Sequence, residues 1–309
     1  MRCPPDAPRG VPLMRYAVRH ATVYEYGGEV AHSHHLLHLK PRDFAYQRCL
    51  DHVLKLDPPP SAEREDIDAF GNGIARLEYD RSHDRLSVIA EMTVEIFPRG
   101  SAPLEACEPW DELCERLSYH AAPLSAAELE ACRYRMRSDH IPIKQIFRDY
   151  AADCFAPGRS SGSAAEALMR KIHREFKYAP GTTTNRTSIA DVLKSRRGVC
   201  QDFAHLMIGA LRAGGLAARY VSGYIRTVRP GGAPAVGGDA SHAWVSVYCP
   251  PLGWVDFDPT NDCLVGEGHV TLAWGRDFGD VSPLRGILFG GSRHKLSVDV
   301  RVQPLADGG

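Results

Sequence analysis

The first third of the chain alternates between apolar and polar side chains at every second position, which is the period of a β-strand. Alternate side chains from Tyr16 to Tyr26 fall on one face of such a strand. Short strands with turns between them at this spacing are typical of antiparallel sandwiches. We therefore predict a β-sandwich-like domain at the start of the chain. Its further strand patterns cover 34–40, 50–56, 74–80 and 85–97.

The period becomes helical from about residue 105. The sequence Ser-Ala-Ala-Glu occurs at 125–128 and again at 163–166. Both copies have the form of a capping box, whose side chains satisfy the first free N–H groups of a helix, so we expect a helix to begin at each. A third helix, with apolar side chains at helical spacing, begins at or just after Cys200 and ends at Gly214.

Strand patterns return after the third helix. A last run near the end of the chain has the pattern of a closing strand, but the sequence does not identify its partner. These runs cover 217–226, 242–249, 253–258 and 295–303. The segment 229–240 between two of them is rich in Gly and Pro, and we expect it to be a mobile loop.

Composition and charge exclude several classes of protein. The 309 residues are 44% hydrophobic, with 37 basic and 38 acidic side chains and a net charge of −1. This near-balance argues against a protein that binds nucleic acid or a membrane surface, and no stretch approaches the ~20 apolar residues of a membrane span. The start of the chain lacks the apolar region of a secretory signal. With nine scattered cysteines and no Cys-x-x-Cys pair, we expect a cytoplasmic protein with reduced thiols.

Cys200 is the first candidate for chemistry. It follows a glycine turn at Gly198 and lies at the N-terminus of the third predicted helix. The free N–H groups and the positive end of the helix dipole at that place favour a thiolate over a thiol. The alternative is a small buried hydrophobic residue, which describes most free cysteines. Position alone leaves both interpretations open.

A histidine and an aspartate on the next strands favour the catalytic interpretation. If the strands form a hairpin centred near Pro250, His242 lies directly across from Asp258 on the same face of the sheet. The carboxylate would then orient the imidazole as a general base for Cys200. Asp256 lies on the same face and is the competing carboxylate.

Four motifs resemble the core of the bacterial transglutaminase-like superfamily. They are Gly-Val-Cys-Gln-Asp-Phe-Ala-His at 198–205, Ala-Arg-Tyr-Val-Ser-Gly-Tyr at 218–224, Ser-His-Ala-Trp-Val at 241–245 and Trp-Val-Asp-Phe-Asp-Pro-Thr-Asn at 254–261. The β-rich start, with Pro41-Arg42 and Asp68-x-Phe-Gly-Asn72, is similar to the N-terminal domain that accompanies this core. The resemblance covers nearly the whole chain from Met14 onward.

The resemblance implies an α+β fold, with a papain-like transglutaminase core of helices and antiparallel sheet after the β-sandwich-like domain. It also implies a Cys-His-Asp triad in which Cys200 is the nucleophile, His242 the base and Asp258 the orienting acid. This choice favours Asp258 over Asp256, as the hairpin does. The predicted parts of the chain are a disordered leader at 1–13 (with Met14 as an alternative start), the N-terminal β-rich domain at 14–104, a helical connection at 105–160, the catalytic core at 161–265 and a C-terminal extension with the closing strand at 266–309.

Three further side chains, Gln201, Tyr178 and Trp244, are candidates for binding substrate. Tyr178 and Trp244 are equally suited to packing in the core. Asp202, two residues after the candidate nucleophile, is interpreted as stabilising the helix dipole or pairing with an arginine such as Arg219.

Histidines are dense near the start of the chain, and His32, His34 and His38 share one strand face. Their spacing matches no familiar set of metal ligands and no cysteine accompanies them. We therefore expect polar histidines on a strand and no metal site. His205, on the third helix, is interpreted as structural.

These residues predict thiol-dependent acyl transfer on amide bonds. Water would resolve the Cys200 thioester into an acid, as in a peptidase, amidase or deamidase, whereas an amine would give a new amide, as in a transglutaminase. We expect hydrolysis, with a protein or peptide substrate that carries an amide or a glutamine. The rival interpretation is a non-catalytic binding module that keeps the fold. The chemistry requires no metal or organic cofactor, and the chain has no loop of closely spaced acidic residues for calcium.

Overall fold

The computed structural model describes residues 14–100, 103–118, 123–185, 187–226 and 241–305. The predicted leader at 1–13 and the whole of the predicted mobile loop at 229–240 lie outside these residues. Within them, two antiparallel sheets are accompanied by a short parallel pair of strands and by α-helices. The predicted α+β class is confirmed.

The strands are numbered here in chain order. They are β1 (Met14–Leu37), β2 (Gln47–Asp57), β3 (Ala62–Ile67), β4 (Gly73–Tyr79), β5 (His83–Ile96), β6 (Lys177–Tyr178), β7 (Arg197–Gly198), β8 (Ala218–Ile225), β9 (His242–Tyr248), β10 (Trp254–Asp258), β11 (Cys263–Leu264), β12 (His269–Gly275), β13 (Leu284–Gly290) and β14 (His294–Leu305). The helices are α1 (Trp110–Arg116), α2 (Ala126–Cys132), α3 (Gln145–Ala151), α4 (Ser161–Glu175), α5 (Ile189–Ser195), α6 (Cys200–Ala213) and α7 (Phe278–Val281).

A curled seven-stranded sheet, called the N-terminal sheet below, is built around β1. The first half of β1 pairs with β5 on one side and β14 on the other, and its second half pairs with β4 and β13. The predicted strands at 15–26 and 34–40 are therefore one continuous strand. The chain passes through Gly27-Gly28 without turning back, because the register shifts between Glu25 and Val30 absorb the irregularity as a bulge.

Two strands of this sheet, β3 and β13, have no counterpart among the predicted runs, and the sequence left the partner of β14 open. β14 is the predicted closing strand, and its partner proves to be β1, from Arg15↔Leu305 to Tyr26↔His294. All side chains of β3 are exposed. Its sequence therefore lacks the alternation of apolar and polar residues by which a half-buried strand is predicted.

The second sheet has the strand order β11-β10-β9-β8-β12 and is antiparallel throughout. Helix α6 packs against β8 and β9, and nearly all of its side chains are buried. Its apolar spacing was the clearest helical signal in the sequence, and the helix ends at Gly214 as predicted. This packing brings the first turn of α6 to the sheet that carries His242 and Asp258.

The two predicted capping boxes have different outcomes. At α2, Ser125 accepts the N–H of Glu128 and the Glu128 carboxylate accepts the N–H of Ser125, so this box is confirmed. At α4 the prediction is wrong, because the cap is Ser160, whose hydroxyl accepts the N–H of Ser163. The helix thus begins one turn earlier, and Ser163 lies inside it.

The N-terminal sheet covers the outer edge of β12 with amide side chains. Gln47 donates to the carbonyl of Thr271 and accepts its N–H, both at 2.7 Å. Asn72 does the same for Trp274, at 2.9 and 3.0 Å. Each amide therefore satisfies backbone groups that a neighbouring strand would otherwise satisfy, which leaves the edge unavailable for other chains.

None of the helices in the described part of the chain is long and apolar enough to span a membrane.

A glycine in β8 fixes how closely the strands and rings beside the site approach. Gly223 is paired with His242 on one side and with Thr271 on the other. A Cβ atom added to Gly223 would lie 2.1 Å from the carbonyl oxygen of Val270 and 2.5 Å from the ring of Trp244. Only glycine leaves room for this contact.

We expect Gly223→Ala to lower the free energy of unfolding by about 1–3 kcal/mol or more, because the backbone of β12 and a buried ring must move. Gly209→Ala is the matched control, since its Cβ would meet its first neighbour at 3.6 Å. In a helix that change is neutral or stabilising by up to about 1 kcal/mol. Urea unfolding of both variants gives the comparison, and equal stabilities would contradict the proposed crowding at Gly223.

Candidate active site

The first turn of α6 holds the candidate nucleophile. Cys200 is its first residue, and the preceding Val199 is extended. The N–H of Val199 donates to Asp202 at 2.8 Å, and the hydroxyl of Thr183 donates to the same carboxylate at 2.6 Å. Gly198 permits this approach, because a Cβ there would lie 2.7 Å from the Asp202 carboxylate. These hydrogen bonds hold the turn before α6. The first N–H groups of α6, which an α-helix leaves without a partner inside the helix, lie at Cys200.

His242 and Asp258 meet on one face of the second sheet. The Nε2 atom of His242 donates to Oδ2 of Asp258 at 2.8 Å, and both side chains are completely buried. The predicted register of the hairpin is wrong by two residues, because Phe257 pairs with Val245 and His242 therefore lies diagonal to Asp258. A shift of two keeps both side chains on the same face, so the predicted contact still forms.

Asp258 is held by a full set of donors. Its Oδ1 accepts the backbone N–H groups of Thr260 and Asn261, at 2.9 and 3.2 Å. Its Oδ2 accepts from the Asn261 amide at 2.9 Å, besides His242, and is 3.4 Å from Nε2 of His269. A buried carboxylate with this many donors remains ionised and fixed in orientation.

The electrostatics of the pair follow from this geometry. Burial lowers the pKa of His242, but the charge of Asp258, the hydrogen bond to it and the neighbouring Cys200 thiol together raise it to about 10. Burial raises the pKa of Asp258, yet its attraction to His242 and the hydrogen bonds hold that pKa far below the usual range. The two groups thus favour a protonated imidazole beside a carboxylate.

The second ring nitrogen of His242, Nδ1, is not engaged by Asp258. Nδ1 is buried and makes no hydrogen bond of good geometry with the described residues. The Cys200 thiol nevertheless lies close enough to contribute to the raised pKa of His242. Such contacts are often long in unliganded sites and tighten when substrate binds. Nε2 is committed to the carboxylate, so Nδ1 is the atom available to exchange a proton with sulfur.

The competing carboxylate, Asp256, has another partner. Arg99, in the segment that follows β5, donates to Oδ2 of Asp256 at 2.8 Å. Burial raises the pKa of Asp256, but Arg99 and Arg219 hold it below its usual value. The guanidinium of Arg219 lies over the rings of Trp254 and Trp274. Asp256 therefore joins the two sheets and does not contact the imidazole.

The other predicted site residues are placed as follows. Gln201 is half-buried in the first turn of α6, and Tyr178 is half-buried with its ring against Phe203. Trp244 is fully buried and packs against His242 and His269. Its ring lies inside the protein, so of these three only Gln201 and Tyr178 are placed where a substrate could reach them.

The structure also shows the contacts of Arg219 and His205. Arg219 does not pair with Asp202, because it stacks between two tryptophans and lies 3.7 Å from Glu130. His205 is buried and accepts the N–H of Phe278 at 3.1 Å, which is a structural contact.

The predicted group of N-terminal histidines does not converge. His32 and His34 are exposed and face Asp80 and Glu78, whereas His38 is buried against Asp68.

One cluster near the site has metal-ligand chemistry. Ligand atoms of Asp258, Cys263 and His269 lie within 4.8 Å of one another. A metal would need lone pairs of Asp258 that already accept hydrogen bonds, and it would need Nε2 of His269 without its proton. The cluster therefore does not fit a metal ion in this arrangement.

No pattern in the sequence pointed to Asn261 or His269 as neighbours of Asp258. Asn261 lies in the turn after β10, at the end of the motif at 254–261. His269 begins β12, at the opposite edge of the sheet from β11. Only the folded sheet brings His269 to the carboxylate.

Comparisons with known proteins identify the family of the chain. Residues 16–95 match the model of the bacterial transglutaminase-like N-terminal region, and residues 148–259 match the model of the transglutaminase-like superfamily. An uncharacterised protein of Mycobacterium tuberculosis is 36% identical over 97% of each chain, and one of Mycobacterium leprae is 30% identical over 95% of this chain and 100% of its own.

A solved structure shares the fold. The crystal structure of a candidate cysteine protease from Cytophaga hutchinsonii superposes with a TM-score of 0.74 and 21% identity, over 97% of this chain and 93% of its own. At this identity the likeness concerns the fold alone.

We expect Cys200 to be the fastest thiol to react with iodoacetamide at about pH 6, where an ordinary thiol is largely protonated. Cys49 is the comparison, because it is more exposed while burial and the nearby Asp43 raise its pKa to about 11. Peptide mapping after brief labelling gives both rates. Equal labelling of the two residues, or labelling of Cys200 that His242→Ala leaves unchanged, would contradict the assignment.

We expect Asp258→Asn to cost roughly 10²–10⁴ in rate, because an amide that donates to Nε2 would leave the proton on Nδ1, where the thiol needs an acceptor. Asp256→Asn removes a charge of the same type two residues away and should cost far less. Turnover measured on variants with native circular dichroism separates the two. Similar losses at both positions would mean that the carboxylate has been wrongly assigned.

Proposed function

Because the chain belongs to the transglutaminase-like superfamily, we propose that it catalyses thiol-dependent acyl transfer on amide bonds, with Cys200 as nucleophile, His242 as base and Asp258 as orienting carboxylate. The observation that carries this proposal is the buried 2.8 Å hydrogen bond between His242 and Asp258, which leaves Nδ1 of the same ring for the thiol. A binding module would have no need for a buried ion pair beside a free cysteine, since such a pair costs stability.

The first step is attack by sulfur on the carbonyl carbon. The Cys200 proton passes to Nδ1 of His242 before the attack, so that a thiolate faces an imidazolium; the S–C bond then forms and the carbonyl π electrons move to oxygen. In this proposal, backbone N–H groups of the first turn of α6 stabilise the resulting oxyanion. Asp258 stabilises the imidazolium without taking its proton.

The second step releases the amine. The oxyanion collapses, the C–N bond breaks, and the imidazolium of His242 gives its proton to the departing nitrogen. The acyl group remains on Cys200 as a thioester. Water then attacks this thioester to give an acid, or an amine attacks it to give a new amide.

We propose hydrolysis as the main outcome, on a protein or peptide amide met in the cytoplasm. Amine transfer needs a channel that holds the amine and excludes water. Trp244, Trp254 and Tyr178 are the aromatic side chains that could wall such a channel. Trp244 is fully buried, and the ring of Tyr178 packs against Phe203. Trp254 is four residues from Asp258 along β10, or about 13 Å at the rise of a strand. Its ring lies between Tyr134 and Tyr248.

Amine transfer is the second candidate, and one relative favours it. A protein of Pseudomonas aeruginosa named protein-glutamine gamma-glutamyltransferase is 34% identical over 105 residues, which is 31% of this chain and 15% of that protein. The 34% segment is too short to carry the choice against the packing of the two tryptophans.

We expect ammonia or new amino termini to appear from glutaminyl peptides or casein faster than dansyl-cadaverine is incorporated at millimolar concentration. Both products are measured in one reaction, with Cys200→Ser as the control that abolishes both. Incorporation at an equal or higher rate would make the protein a transglutaminase. Failure of the wild-type protein to form either product or a trapped thioester would favour the binding module.

A further inference from the structure

Asp258 lies between two histidines. Its Oδ2 atom is 2.8 Å from Nε2 of His242 and 3.4 Å from Nε2 of His269. His242 belongs to the proposed catalytic set, whereas no step of the mechanism uses His269. A second imidazole aimed at the same carboxylate oxygen therefore has a role still to be assigned.

The hydrogen bonds of His269 define its tautomer. The backbone N–H of Gly266 points to Nδ1 of His269 at 3.5 Å, so Nδ1 is an acceptor and carries no proton. The proton of a neutral ring must then be on Nε2, which faces Asp258. The ring is held edge to face against Trp244, at a centroid distance of 5.3 Å, and the side chain is 7% exposed. His269 is thus a fixed, neutral donor.

Burial keeps His269 neutral, because it lowers the pKa of the imidazole. Asp258 on β10 faces the ring and favours protonation, whereas the charges of His242 on β9 and of Arg99, after β5, oppose it. The thiol of Cys263, next to Asp258 in the sheet, completes the surroundings. Burial lowers the pKa of His269 by more than Asp258 raises it. A single positive imidazole, that of His242, therefore faces the carboxylate.

We propose that His269 is a positioning residue, which donates from Nε2 to Oδ2 of Asp258 and so holds the carboxylate against His242 while His242 gains and loses its proton. This inference rests on the proposed function of Cys200, His242 and Asp258. Without His269, Oδ2 keeps His242 and the Asn261 amide as donors, and it loses the 3.4 Å contact that opposes its displacement from His242 when the imidazole changes charge. The aim of His242 at the thiol then becomes less well defined.

The experiment compares His269→Gln with His269→Leu. The amide nitrogen of glutamine takes the place of Nε2 and keeps a neutral donor, whereas leucine has a similar volume and no donor. We expect leucine to lower kcat by about 10- to 100-fold, the range typical of lost supporting hydrogen bonds, with KM little changed. Glutamine should restore most of the rate. His35→Leu is the control, because His35 is equally buried but bonds only to Ser33 in the N-terminal sheet.

A second readout needs no substrate. The rate of iodoacetamide labelling of Cys200 is measured from pH 5 to 9 in the wild-type protein and both variants. We expect the leucine variant to lose the fast labelling at low pH and the glutamine variant to keep it. Thermal unfolding of all four proteins shows whether each is folded, and a loss of stability in itself would not shift this pH profile.

The outcomes separate the two proposals. Slow labelling of Cys200 in the wild-type protein would overturn the proposed function. Fast labelling in the wild type that is unchanged in the leucine variant, or a loss of kcat that glutamine fails to restore, would overturn the role of His269 alone. Binding of zinc at micromolar concentration by the wild type but not by His269→Leu would also overturn it, in favour of a metal site at Asp258, Cys263 and His269.

Discussion

The buried hydrogen bond between His242 and Asp258 constrains the second sheet and the turns around it. Both side chains have no exposure to solvent, and removing one partner of such a pair costs about 3–5 kcal/mol because the other charge stays buried. The surrounding chain meets this requirement locally. The turn after β10 points two backbone N–H groups at Asp258, and Asn261 adds its amide. The strands must also keep a register that leaves both side chains on one face.

The N-terminal sheet supports the same strands from the other side. Arg99 neutralises Asp256, which lies two residues from Asp258 on β10. The amides of Gln47 and Asn72 hold the free edge of β12, the strand that begins with His269. The buried imidazole of His20 on β1 lies 2.8 Å from the hydroxyl of Tyr224 on β8. The N-terminal sheet therefore supports the strands of the second sheet on which the candidate site is built.

The strongest local patterns were predictable from the sequence, and the long-range contacts were not. The spacing of apolar residues predicts helix α6 and the strands on either side of Pro250. The alternation of side chains between the two faces of a strand predicts that His242 and Asp258 lie on one face. The register was wrong by two because it depends on the turn, where Cys249 and Gly253 form the closing hydrogen bond, and not on the strands. His269 could not be predicted at the site, since its contact depends on the order of strands in the sheet.

The position of β1 has a consequence for how the chain is made. Arg19 in β1 contacts Asp299 in β14, 280 residues later in the sequence. At ribosomal rates of about 5–20 residues per second, roughly 15–60 s separate the synthesis of these two strands. During that time one edge of the central strand has no partner, which exposes it to aggregation. The complete sheet forms only after β14 (His294–Leu305) has been made, so the strands beside Cys200 gain their full support late in synthesis.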